Sequence, residues 1–192
     1  MKLAFVHIPK TAGASITKWF RTNNLPFQPI EHLTLQERKD RDPYLNYDKS
    51  FTVVRNTYSR MLSLYNFGKY KIPKSIWRAN KTNNIDMINN YYKPLQDAWN
   101  KGIVYYIDYC VANKLRNVKC QTDFIDGVDI ILQYESLEQN FVQVQKLVNC
   151  YIPLTQQIHS YKNKTVMEYS TEYKKCIQKH FQKDLELFNY VP

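Results

Sequence analysis

The sequence predicts a three-layer α/β fold, a short central parallel sheet flanked by helices, in a single domain over residues 1–192. Three short apolar runs, LAFVHI, SFTVV and VDIILQY, have the length and β-branching of buried parallel strands. Segments with helical spacing separate them, the alternation that suggests a parallel sheet. Aromatic residues make up 15% of the chain, which excludes a disordered polymer, and 192 residues suffice for a sizeable core.

LAFVHI opens the sheet, and ASITKWFRTN follows as a helix with Ile16, Trp19 and Phe20 on one side. LPFQPIEHLTLQERKDRDP reads as a loop and then a polar helical turn closed by Pro43. SFTVV is the second strand, and SRMLSLYNF begins the next helix. Lys69 to Leu115 is polar, aromatic and mostly helical. VDIILQY is the third strand. SLEQNFVQVQKLVNC has Ser136 and Gln139 at capping-box spacing. STEYKKCIQKHFQKDLELF is a closing helix, again with a Ser/Thr cap.

The net charge of +10 is spread along the chain, so it suits an anionic ligand better than a basic nucleic-acid tail. None of the 4 cysteines forms a Cys-x-x-Cys pair, so no zinc site is expected. A disulfide stays open, and a reduced chain is the simpler reading. No secretory signal and no 18-residue apolar stretch is seen, so a cytoplasmic location without a membrane span is expected.

Two stretches carry chemistry. FVHIPKTAGAS reads as a strand, a tight loop and a helix start. Helix N-termini bind anions through their unpaired N–H groups and the helix dipole. Gly13 lets backbone approach closely, Lys10 stands at the strand end, and Thr11 and Ser15 offer hydroxyls. The magnesium-nucleotide signature GxxxxGK[ST] is absent, since the lysine precedes the glycine. In FTVVRNTYSRMLSLY, Arg55 ends a strand and Ser63 follows about two helical turns on. An arginine fork and a hydroxyl so placed suit a second phosphate.

Together these motifs resemble those of the sulfotransferases that use 3′-phosphoadenosine-5′-phosphosulfate (PAPS), in particular the carbohydrate sulfotransferases and their small bacterial and viral relatives. EHLTLQE is similar to a His-x-Thr segment that this family often shows between its two motifs. CQTDFI, LQYESLEQNF and HFQKDLELFNY resemble further family segments, whereas Lys69 to Leu115 matches weakly. The chain departs from the pattern at Ala14, where a hydroxyl residue is usual, and at Thr57, which replaces a proline.

The resemblance implies a P-loop-like fold and a single reaction, in-line transfer of a sulfuryl group from PAPS to a hydroxyl acceptor, with a carbohydrate as the expected acceptor. It implies that Lys10, Thr11, Ala12, Gly13, Ala14 and Ser15 hold the 5′-phosphosulfate, with Lys10 also neutralising charge on the departing nucleotide. Arg55 and Ser63 would hold the 3′-phosphate. His32 is the expected general base, Glu31 is the second choice, and no metal is called for. His7 is expected to pack under the loop, His159 and His180 to be structural or solvent-facing, and Glu135 to be structural. Lys162 and Lys164, in the basic loop HSYKNKT, are weak candidates for covering the nucleotide. Two other classes compete: a small P-loop kinase, which would need ATP and magnesium, and a non-catalytic basic module binding nucleic acid or an anionic glycan. Nucleic acid is the less expected partner, because that module would not need Arg55 and Ser63 at this spacing.

Overall fold

The computed structural model describes residues 1–154 and 169–192. The chain divides into two compact units, Met1–Asn56 with Cys120–Glu168 and Thr57–Lys119 with Tyr169–Pro192. His159, Lys162 and Lys164 lie outside the described residues.

The first unit is an α/β structure built on four parallel strands in the order β2-β1-β3-β4: β1 (Leu3–His7), β2 (Phe27–Glu31), β3 (Lys49–Val54) and β4 (Ile130–Gln133). β1 and β3 are central, so their residues are buried on both faces and read as continuous apolar runs. Phe5 and Phe51 stack across them at 4.9 Å. Thr52 is fully buried in β3 because its hydroxyl donates to the Val6 carbonyl at 2.7 Å, which removes the penalty of an unpaired polar group.

Helix α1 (Gly13–Thr22) turns Ile16, Trp19 and Phe20 onto Leu3, Phe5 and Phe51. Full burial of side chains of this size contributes about 1.5–3 kcal/mol each. The Trp19 indole N–H donates to the Ile152 carbonyl at 2.8 Å, so the core loses no hydrogen bond to it. Helix α2 (Leu35–Arg41) begins in a true capping box between Thr34 and Glu37.

Two local expectations are corrected. The stretch read as a loop after Leu25 contains β2, an edge strand paired with β1 alone. Pro29 lies inside it, and proline cannot donate to a ladder, so the run lacks the look of a strand. The Ser136–Gln139 capping box does not form. Ser136 makes no cap bond and instead accepts from the Asn140 side chain at 2.7 Å, so that the local helix is interrupted into α7 (Leu137–Asn140) and α8 (Val142–Leu147).

In the second unit, α3 (Thr57–Lys81) is followed by the short α4 (Ile85–Met87), a π-helical turn (Ile88–Tyr92), α5 (Lys93–Asn100) and α6 (Ile103–Ala112). The closing helix α9 (Thr171–Phe188) is capped at Ser170, whose hydroxyl accepts from the Tyr173 N–H. Gly68 on α3 admits the Trp99 ring, and Trp99 and Tyr65 exchange hydrogen bonds through each other's carbonyls at 2.8 and 3.2 Å. Arg60 is fully buried and donates to the carbonyls of Asn117 and Lys119. Among the described residues, no helix is long and apolar enough to cross a membrane.

Candidate functional site

Parallel strands align their C-terminal ends, and the order β2-β1-β3 therefore brings three connections to one edge of the sheet. β1 leads into residues 8–12, β2 ends at Glu31 opposite His7, and β3 leads into Arg55.

The β1–α1 loop has an unusual backbone. Lys10 and Ala12 both adopt left-handed conformations, at φ 71 and φ 72, with Thr11 between them. Side-chain-bearing residues avoid this region at a cost of roughly 1–2 kcal/mol each. Alternation of this kind turns successive N–H groups toward a common concavity, a geometry that suits anions. The helix behind it adds its dipole, since Ala12 supplies no side-chain cap and no acidic residue stands in the first turn of α1. Thr11 is fully buried and its hydroxyl donates to the Ile8 carbonyl at 2.8 Å, so it braces the loop from within. Ser15 is buried at the first turn of α1, and Ala14 is exposed.

Gly13 starts the helix because nothing larger fits. A Cβ there would fall inside the His7 imidazole, which lies directly on the glycine. His7 is thus the platform of the loop, as its position in the strand implied. Burial, then the neighbouring charges of His32 and Lys10, bring its pKa down to about 4, so it is neutral at physiological pH.

Lys10 and Arg55 meet across the ends of β1 and β3, and the Arg55 guanidinium donates to the Lys10 carbonyl at 3.2 Å. Burial and, after it, the Arg55 charge lower the Lys10 pKa to about 8. Two half-buried cations raise each other's free energy, and an anion placed against both would lower it. Arg55 is held in position by groups far away in sequence. Its N–H and carbonyl both bond to the side-chain amide of Gln121 at 2.8 Å, and its guanidinium lies 4.2 Å from the centre of the Tyr134 ring. Gln121 is fully buried. The next residue, Asn56, donates its N–H to Glu135 at 2.8 Å, a structural role for that carboxylate.

His32 follows β2 in a left-handed conformation, φ 55. Its N–H donates to the His7 carbonyl, and the two rings stand 4.9 Å apart. Glu31 and His32 are both exposed. Beside the loop lies an open cleft of about 420 Å³ lined by His7, Gly13, Ala14, Thr17, Lys18, Arg21 and Glu31. Lys10, Arg55, Glu31 and His32 thus belong to one sheet edge. Ser63 belongs to the second unit, half-buried on α3.

The sequence reading did not assign Gln121, Tyr134, Lys18 or Arg21. Gln121 lies in CQTDFI, a segment already singled out, but its partner is 66 residues away and no local pattern announces the pairing. Comparisons with protein-family models, curated proteins and solved structures find no match to this chain.

Proposed function

We propose that this chain is a PAPS-dependent sulfotransferase with a P-loop-like, three-layer fold. The observation that carries the reading is the β1–α1 loop, where two left-handed, non-glycine residues shape an anion cradle flanked by Lys10 and Arg55. Backbone strain of this kind is concentrated at functional sites.

PAPS would supply the sulfuryl group and leave as adenosine 3′,5′-bisphosphate. The N–H groups from Thr11 to Ser15 would hold the 5′-phosphosulfate, and Lys10 would offset charge developing at the bridging oxygen. Arg55 would grip the 3′-phosphate. The hydroxyl acceptor would enter the cleft beside α1, where Lys18 and Arg21 favour a carbohydrate carrying anionic groups. Glu31 lines the cleft and His32 is the next residue, and one of them would take the acceptor proton. His32 has the family-like position, whereas Glu31 lines the cleft itself.

The deciding experiment is thermal unfolding with adenosine 3′,5′-bisphosphate without metal, compared with ATP and magnesium. A ligand at 100 times its Kd stabilises by roughly 2.7 kcal/mol. The bisphosphate alone should raise Tm by several degrees. Stabilisation only by ATP with magnesium would replace this reading with a kinase, and no shift with either would leave a basic binding module.

A further inference from the structure

We propose that the second unit contains a zinc site formed by Asp108, Cys176 and His180, with water as the fourth ligand. This inference does not rest on the sulfotransferase reading, because all three residues belong to the helical unit.

Cys176 and His180 are four residues apart on α9, so they occupy one helix face. Asp108 comes from α6. Their ligand atoms, the thiol sulfur, an imidazole nitrogen and a carboxylate oxygen, all lie within 4.8 Å of one another. In tetrahedral zinc sites, bonds of about 2.0–2.3 Å put ligand atoms roughly 3.3–3.8 Å apart. The three groups therefore need only a small adjustment. His180 Nε2 and Asp108 Oδ1 are already 2.5 Å apart and would separate slightly as the metal replaces the proton between them.

The donor set selects the metal. Thiolate and imidazole favour zinc over magnesium or calcium, and the carboxylate completes a neutral three-ligand shell with a divalent ion once the thiol proton leaves to solvent. Burial also fits. Cys176 is 6% exposed, while the Asp108 side chain is 44% exposed, so the cluster is closed on the sulfur side and open to water on the other. Among the described residues, Lys179 opposes a cation, since its ammonium lies 3.4 Å from Asp108. Its side chain is 68% exposed and can swing into solvent. Bound metal would join α6 to α9, two helices far apart in sequence.

The test uses the full-length, tag-free chain with cobalt(II) as the spectroscopic substitute and zinc in competition. Cobalt should give a thiolate-to-metal charge-transfer band in the near ultraviolet and the intense visible bands of tetrahedral coordination, and zinc should abolish both. Zinc should also raise Tm in a concentration-dependent way. Cys176→Ser should remove the charge-transfer band. His180→Ala and Asp108→Asn should weaken zinc binding by more than the roughly 10–100-fold that losing an outer-shell partner costs. Lys179→Met changes only an exposed residue, leaves folding intact, and should tighten binding several-fold. Absence of the band in the native chain, or affinity unchanged in Lys179→Met, would overturn the proposal.

Discussion

Two glycines, one in each unit, carry a ring on their bare face, and they serve different ends. At Gly13 the His7 imidazole lies against the first residue of a helix, next to a loop whose backbone is left-handed at Lys10 and Ala12. At Gly68 the Trp99 indole lies in mid-helix, where a Cβ would come within 2.9 Å of the ring. Trp99 is held by Tyr65 through two hydrogen bonds and forms part of ordinary helix packing. The same device would serve the proposed ligand loop in one place and helix packing in the other. Substitutions at Gly13 and the strand ends beside it should therefore affect ligands and turnover, while those at Gly68 and Trp99 should affect folding.

The largest effect should come from the acceptor side. Replacing the general base should reduce turnover by about 100- to 10,000-fold, with affinity for adenosine 3′,5′-bisphosphate almost unchanged. His32→Ala and Glu31→Gln, assayed side by side with labelled PAPS, identify which of the two adjacent residues has the role. Normal turnover in both would remove the base from this edge.

Arg55→Ala should come next. Loss of a charge-assisted hydrogen bond costs about 1.5–3 kcal/mol, which is roughly one to two decades in affinity. Calorimetry should show that loss for adenosine 3′,5′-bisphosphate and a much smaller one for AMP. Equal losses would detach Arg55 from the 3′-phosphate.

The glycines test the comparison directly. Gly13→Ala should destabilise by about 1–3 kcal/mol through overpacking against His7 and should also weaken nucleotide binding. Adding His7→Ala should recover much of the stability, because it makes room for the new methyl group. Gly68→Ala should cost about 1 kcal/mol, since the clash with Trp99 is partly offset by better helix propensity, and nucleotide affinity should not change. Loss of nucleotide binding in Gly68→Ala would break the distinction between the two glycines.

The remaining effects are those of pH. The unfolded chain protonates His7 near its ordinary value of 6.5, and the folded chain only near 4. The His7 contribution to stability should therefore fall as pH drops from 6.5 to 4 and level off below that, as denaturant titrations of the native chain beside His7→Phe would show. Lys10 titrates near 8, and a phosphate beside it needs the ammonium form. Affinity for adenosine 3′,5′-bisphosphate should decline above pH 8, by at most about tenfold per pH unit. In Lys10→Met that decline should disappear.

The features legible in the sequence were those confined to a few neighbouring residues. The apolar runs of β1 and β3 stand out because burial on both faces dictates them, β4 stands out by its Ile-Ile-Leu run although it is an edge strand with only Leu132 buried, and α1 shows its apolar face in Ile16, Trp19 and Phe20. β2 was illegible because Pro29 and Gln28 interrupt a run in which Ile30 alone is buried. The site shows the same division. Lys10 and Gly13 are adjacent in a recognisable string, whereas the amide of Gln121 reaches Arg55 across 66 residues and Asp108 reaches His180 across 72. The string FTVVRNTYSR contains two arginines with no outward sign of their difference. Arg55 stands at the sheet edge, and Arg60 is fully buried on backbone carbonyls. Only tertiary partners separate them.

The sheet's connectivity carries a consequence for the order of folding. β4 pairs with β3, and Ser50 and Asp129 at the start of that pairing exchange hydrogen bonds although 79 residues separate them. The residues between them include Thr57–Lys119, the whole of the helical unit's first segment. During synthesis β1, β2 and β3 can associate early, but the fourth strand emerges only after that helical stretch has left the ribosome. Closing so long a loop is entropically costly and slow, while helices form from local contacts. Docking of β4 is thus a late event in refolding, and until it happens the flank of β3 offers an open ladder to any other chain.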